Sequence, residues 1–483
     1  MIRFPARVRV ICAVLAAGLG VGPAAAETTL RMAITTLPPQ DGHPFSTSAT
    51  PTITTTGAIF DGLTRITADG SLRPWLATSW RNLDANTWRF ALRDDVVFSN
   101  GAPFDAAAVK FAVDYLATRA VPGKDNLARD LPPMVAARVV DARTIDIVTK
   151  DPVPIFPRYA AALLVPEPAA FERLGKEGFQ KAPVGTGPFE AVEFAPAKVS
   201  FRAHARSWRK PRFARMELLE LPDPTVRVQA LITDQIDIAT GLAPEDVATL
   251  KAAGHQAIGW RDIQVSSISL VTTRNLPFND VRVRRALNLA VNRQPIVDVL
   301  MLGSTVPANQ PAAANVLGFD PTIPQYPYDP AEAKALLAEA GYPNGFSFVL
   351  ETTGAGGSSL SVYQQVASDL AQVGVKMEIR ALPGPQYLRN LFQTGEFADA
   401  ITVPWLASPT ADVMRPILIH SCRTRIPWYC DADLTPKIEA ALAEWDEAKA
   451  LALRKELGRI YHDRAPAIFL YESALFAGLR KGF

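Results

Sequence analysis

The sequence predicts an α/β fold with mixed sheets, spread over more than one lobe. Residues 346–352 form a β-type run, 360–373 carry a helical pattern stopped by Gly374, and 375–380 form a second β-type run; this strand–helix–strand order argues for a parallel sheet. In addition, residues 87–93 alternate, with Trp88, Phe90 and Leu92 on one face and Arg89 and Arg93 on the other, the signature of a half-buried strand. Finally, 483 residues exceed what one hydrophobic core organises and imply two or three lobes.

Composition narrows the function classes. Hydrophobic residues make up 48% of the chain and charged residues 20%, an ordinary globular balance. The net charge of +2 provides no electrostatic footprint for nucleic acid or an anionic membrane. Residues 1–26 read as a signal peptide, with Arg3, Arg7 and Arg9 at its start, an apolar run over 10–21 and Ala24-Ala25-Ala26 at a cleavage site. That run falls short of the ~20 residues a membrane span needs, so a soluble exported protein is expected. Export would leave Cys422 and Cys430, which an oxidising compartment favours as a disulfide. Metal binding with the nearby His420 is the alternative, against which stands a spacing unlike that of structural zinc sites.

Along the chain, residues 27–36 predict the first strand of the exported protein. A Pro-rich loop follows through Leu37 and His43, with His43 expected to be exposed. Residues 59–66 alternate into a turn at Asp69-Gly70. Asp105 is placed to cap a helix carrying Val109, Ala112, Val113 and Leu116. Residues 137–150 form a hairpin turned at 141–143, a short helix begins at Pro166-Glu167-Pro168, and Gly185 and Gly187 mark a tight chain reversal. An alternating run over 194–202 predicts a strand. Asp223-Pro224 opens a helix, 236–239 is a strand, and Ala243-Pro244 starts a further helix ending near Gly254. After a β-rich segment over 264–273, Asp280 caps a helix reaching toward Gly303, whose arginines read as a solvated face. Asp329-Pro330 opens another helix, 437–461 is helical, and 467–471 is a strand.

Taken together, Phe60-Asp61-Gly62-Leu63, then Leu72-Arg73-Pro74-Trp75-Leu76-Ala77 with Ser79-Trp80, then Phe90-Ala91-Leu92-Arg93 with Asn100-Gly101-Ala102-Pro103-Phe104, resemble the family 5 solute-binding proteins of ABC importers. The dipeptide, oligopeptide and nickel binders belong to that family. The resemblance implies a type II periplasmic binding protein of two lobes with a hinge between them. Lobe I would comprise 27–265 plus 468–483, with an extra subdomain over about 66–184, and lobe II would comprise 266–467. Relatives usually continue past the position of Phe483, so the last elements of lobe I are expected to be shortened.

The function implied is capture of a small organic solute, peptide-like or amino-acid-derived, for delivery to an inner-membrane permease by a monomeric periplasmic receptor. An oligopeptide receptor gripping mainly the ligand backbone is the alternative, and a chaperone or enzyme on the same fold is a reading from another class. No GxSxG, HExxH, phosphate-cradling or GxGxxG motif supports an enzyme, and no cofactor is implied. The family's ligand-facing segment matches 399–405 onward, which makes Trp405, Ser408, Thr410, Asp412 and Arg415 candidate ligand contacts, with Tyr387, Trp260, Leu37 and His43 as further ones. Peptide-binding relatives place an aspartate a few residues after that tryptophan to pair the ligand's ammonium. This chain has Leu406-Ala407-Ser408-Pro409-Thr410-Ala411 there, so a free-amine peptide is expected only if Asp412 reaches the site, and Arg415 is the candidate clamp for an acid.

Overall fold

The computed structural model describes residues 28–46, 50–122, 124–353 and 357–483, so the predicted signal peptide and the glycines of 354–356 lie outside the described residues. The chain divides into two compact units. The first holds the chain up to Leu242, then Asp246–Ile258 and Phe476–Phe483; the second holds Ala243–Glu245 and Gly259–Leu475.

In the first unit, β1 (Thr29–Ile34) lies parallel to β10 (Arg215–Glu220) on one side and to β11 (Ile238–Thr240) on the other. The sheet continues antiparallel through β9 (Lys198–Ala203) to β8 (Phe189–Ala195). The run expected as one strand over 194–202 is therefore a hairpin, because Ala197 takes a left-handed turn conformation at φ 59°. A second sheet, β4 (Ala77–Asp84), β5 (Thr87–Leu92), β7 (Thr144–Thr149) and β6 (Met134–Asp141), is antiparallel throughout. Helix α1 (Thr50–Ile59) occupies the start of the alternating run expected to be extended, and the predicted turn survives as the hairpin of β2 (Thr64–Ile66) and β3 (Leu72–Pro74). Asp105 caps α2 (Ala106–Thr118) by accepting from the Ala108 N–H at 3.1 Å.

The strings that carried the family resemblance are packing instructions in this unit. Asp61 is buried, yet its carboxylate accepts from Trp75 Nε1 (2.7 Å), Thr186 Oγ1 (2.9 Å) and Trp208 Nε1 (3.2 Å) and pairs with Arg209 at 2.9 Å, which offsets the cost of burying it. The reversal at Gly185 passes so close to α1 that a Cβ there would sit 2.1 Å from the Ile59 carbonyl oxygen. His43, expected to be exposed, is fully buried among Phe45, Tyr115 and Phe171. Its Nε2 meets Asp125 at 2.5 Å, and Asp125 also receives Lys176 Nζ at 2.7 Å and the Val121 N–H at 2.7 Å.

In the second unit, β13 (Ser347–Thr353) lies parallel to β14 (Lys376–Leu382) and to β15 (Ala400–Ile401), as the strand–helix–strand pattern requires. β12 (Gln256–Leu270) runs antiparallel to β15 and to β16 (Trp405–Leu406), with β17 (Ala467–Leu479) on its other side. Two aliphatic and aromatic clusters fill the unit, one around Trp405, Ile401 and Phe469, the other around Leu270, Leu350 and Leu287. The helix capped by Asp280, α3 (Val281–Ala290), is shorter than expected because Val291 and Asn292 are extended. Its arginines also divide: Arg282 stays at the surface on Asp280, whereas Arg284 is buried and donates to the carbonyls of Arg464 (2.8 Å) and Phe278 (2.8 Å). The final helical region is likewise broken, into α4 (Thr435–Ala443) and α5 (Glu447–Arg464), where Glu444 is extended and Asp446 caps the second helix.

Candidate functional site

The candidate site is built on the segment following β15, entirely within the second unit. Its backbone is pinned from two sides. Gln264 and Val265 of β12 pair with Leu406 and Trp405, and the Ala407 N–H donates to the Ile263 carbonyl at 3.1 Å. On the other side Leu317 N–H donates to Ala411 O (2.8 Å) and Val413 N–H to Leu317 O (3.0 Å). Alternation along β16 then sends Trp405 inward and Leu406, 38% exposed, outward.

Trp405 is the centre of an aromatic core. Its ring stacks on His420 at 3.8 Å, with Phe469 at 5.3 Å and Tyr461 edge-on at 5.5 Å. Burial pushes the His420 imidazole down to about 4, so it is neutral at ordinary pH and its Nδ1 donates to the Pro416 carbonyl at 3.0 Å. His420 thus belongs to packing; Cys422 and Cys430 form a disulfide, which sets aside the metal alternative for these residues. The bridged loop carries Trp428, edge-on to His420 at 5.2 Å.

Asp412 is unavailable to a ligand's ammonium. It is fully buried and its two oxygens are taken by Arg454 Nε (3.1 and 3.0 Å), Arg454 Nη2 (3.0 Å) and the Met414 N–H (2.9 Å). Thr410 is buried as well. Ser408 and Arg415 remain half-buried. Tyr387 sits in the same core as Trp405, its hydroxyl 3.4 Å from Thr402 Oγ1 and pushed up to about 12 by burial. Leu37 and His43 lie in the first unit, Leu37 with its N–H on Glu220 Oε2 at 3.2 Å.

Of the candidates on other elements, Trp260 is half-buried on β12 and leads to two polar neighbours that periodicity did not single out. Arg261 Nη1 pairs with Glu472 Oε2 at 3.2 Å, and Glu472 also accepts from the Ala314 N–H at 3.1 Å. Burial pushes the Glu472 carboxyl up, with Arg261 opposing it. Asp262 is half-buried, and burial pushes its carboxyl up too. Among the described residues its one hydrogen bond comes from the adjoining Ile263 N–H, at 2.8 Å. The available sequence signal was chemical: an acid in the otherwise apolar run 467–471 onward, and Trp-Arg-Asp opening a β-rich segment.

The chain matches the family model of bacterial extracellular solute-binding proteins, family 5 (middle region), over residues 71–422. It is 30% identical over 498 aligned positions to the glutathione-binding protein GsiB of Salmonella typhimurium, covering 97% of this chain and 93% of that one. It is 28% identical over 473 positions to di/tripeptide-binding protein 2 of Pseudomonas aeruginosa, covering 91% and 87%. Among solved structures, NikA from Brucella suis in complex with Fe(III)-EDTA superposes with a TM-score of 0.78 at 25% identity, covering 94% of this chain and 95% of that one. The ABC transporter substrate-binding protein CtaP from Listeria monocytogenes superposes at 0.83, sharing the fold at 20% identity over 94% of each chain.

Proposed function

Because the chain belongs to the family 5 bacterial extracellular solute-binding proteins, we propose that it is the periplasmic receptor of an ABC importer for a small peptide-like or amino-acid-derived solute. The observation that carries this reading is near full-length likeness to glutathione- and di/tripeptide-binding proteins, joined to a rigidly pinned 405–413 segment that turns Leu406 and Ser408 outward from the core. In this reading Ser408, Arg415 and Trp260 face the solute, Trp405 and Tyr387 hold the frame beneath them, and an inner-membrane permease receives the cargo. The work is binding and release, with no bond made or broken. Preorganisation matters here: a segment fixed by backbone hydrogen bonds and an aromatic core orders little on binding, so less of the contact energy is lost to entropy.

A thermal-shift screen of the purified protein against di- and tripeptides and glutathione tests it. A solute at a hundred times its dissociation constant stabilises the native state by about 2.7 kcal/mol. Failure of every such solute to raise the melting temperature overturns the reading.

A further inference from the structure

We infer that Asp262 is the carboxylate that pairs the ammonium of this protein's solute, which makes free-amine peptides and amino-acid conjugates its ligand class. The inference rests on the reading of the chain as a peptide-type solute receptor and adds the residue that selects the ligand.

β12, β17 and the segment 399–415 together carry four carboxylates: Asp262, Glu472, Asp399 and Asp412. Three have a cation. Asp412 is held by Arg454 at 3.0 Å, Glu472 by Arg261 at 3.2 Å and Asp399 by Arg274 at 3.8 Å. Asp262 has none among the described residues, and its one hydrogen bond is to the neighbouring backbone N–H. A half-buried carboxylate left without a cation is disfavoured in the free protein and becomes favourable when a ligand supplies the positive charge.

Its position fits that task. The register Val265–Trp405 and Gln264–Leu406, continued through the Ala407 N–H to Ile263 O bond, ends one residue short of Asp262 and Ser408, so Ser408 opens the turn after β16 beside the strand that carries Asp262. Ser408, three residues after Trp405, occupies a stretch of the segment in which this chain carries no carboxylate before Asp412, and Asp412 is spent inside the core. The negative charge missing from one strand is therefore present on its partner.

The test compares Ala-Ala and glutathione with their N-acetylated forms by calorimetry on the wild type, Asp262→Asn, and the double variant D262N/S408D, with ligand-free melting temperatures as the fold control. The expected result is wild-type preference for the free amine by tenfold or more, its loss in D262N with acetylated-ligand binding unchanged, and its recovery in D262N/S408D. Wild-type protein that binds free and acetylated ligands equally, or D262N that keeps the preference, overturns the inference and leaves the receptor reading standing. Wild-type protein that binds none of the four overturns the receptor reading and the inference with it. Equal binding of free and acetylated ligands by the wild type overturns the inference even if a variant does not fold.

Discussion

Removing the Asp412 carboxylate tests whether that residue belongs to the core or to the ligand. In Asp412→Ala the Arg454 guanidinium, only 2% exposed, loses the acceptor of its Nε and Nη2 groups, and the Met414 N–H loses its acceptor as well. Breaking one side of a buried pair costs about 3–5 kcal/mol, because the surviving charge cannot be hydrated. Arg454 Nη1 keeps the Ala441 and Ala450 carbonyls, both at 3.1 Å, so the loss belongs at the lower end, about 3 kcal/mol. For a unit of about 200 residues this lowers the melting temperature by about 6–12 °C. Urea unfolding followed by circular dichroism, with a calorimetric scan, measures it. Replacing both partners, as in D412L/R454M, should recover most of the loss, since apolar side chains carry no desolvation penalty. A D412A protein that melts within 2 °C of wild type, yet no longer binds Ala-Ala, would refute the reasoning and return Asp412 to the ligand site.

Four further outcomes are expected. Ligand-free Asp262→Asn should melt above wild type at pH 7: burial raises this carboxyl, so its stabilising state is the protonated one, lost as pH rises through the raised value, and the difference closes on acidification. Reducing Cys422–Cys430, or substituting both with Ser, removes about 2–3 kcal/mol by the chain-entropy account, read as a lower urea midpoint. Acid should unfold the first unit in two stages seen by pH-stepped hydrogen exchange. Burial holds His43 neutral, a contribution lost as pH falls below about 6.5. Asp125 is pushed up by burial but held at about 2 by its His43, Lys176 and Val121 hydrogen bonds, a contribution lost from about pH 4 downward; D125N removes the second stage. Gly185→Ala drives a Cβ to 2.1 Å from the Ile59 carbonyl oxygen and should cost about 1–3 kcal/mol in a melting scan, whereas no penalty would show that the reversal is loose.

Elements were legible where the signal is local. Asp105, Asp223, Asp280 and Asp329 each accept a backbone N–H at the start of the helix that they announce, because a cap needs only its own next three residues. Helix breaks at Val291 and Glu444 were not legible, since nothing at either position forbids a helix and the surrounding packing decides. Burial of polar side chains was hidden for a related reason. Asp412 meets Arg454 across 42 positions, His43 meets Asp125 across 82, and Arg284 reaches the Arg464 carbonyl across 180. The site was half readable: Trp405 stood out as an aromatic, but β16 is two residues long, too short for alternation to say which way it points.

The route of β17 also sets a clock on biogenesis. Residues 477–479 pair with β11, and Arg480 Nε reaches Asp237 at 2.8 Å across 243 positions, so the first unit cannot close its own sheet until nearly the whole second unit has been synthesised. A contact of such long sequence separation forms slowly. At the ribosome the first unit is thus kept open long after its earlier strands exist, with one edge of β11 unpaired. A circular permutation that moved 476–480 ahead of β1 would shorten that interval and should speed refolding of the first unit, read by stopped-flow fluorescence.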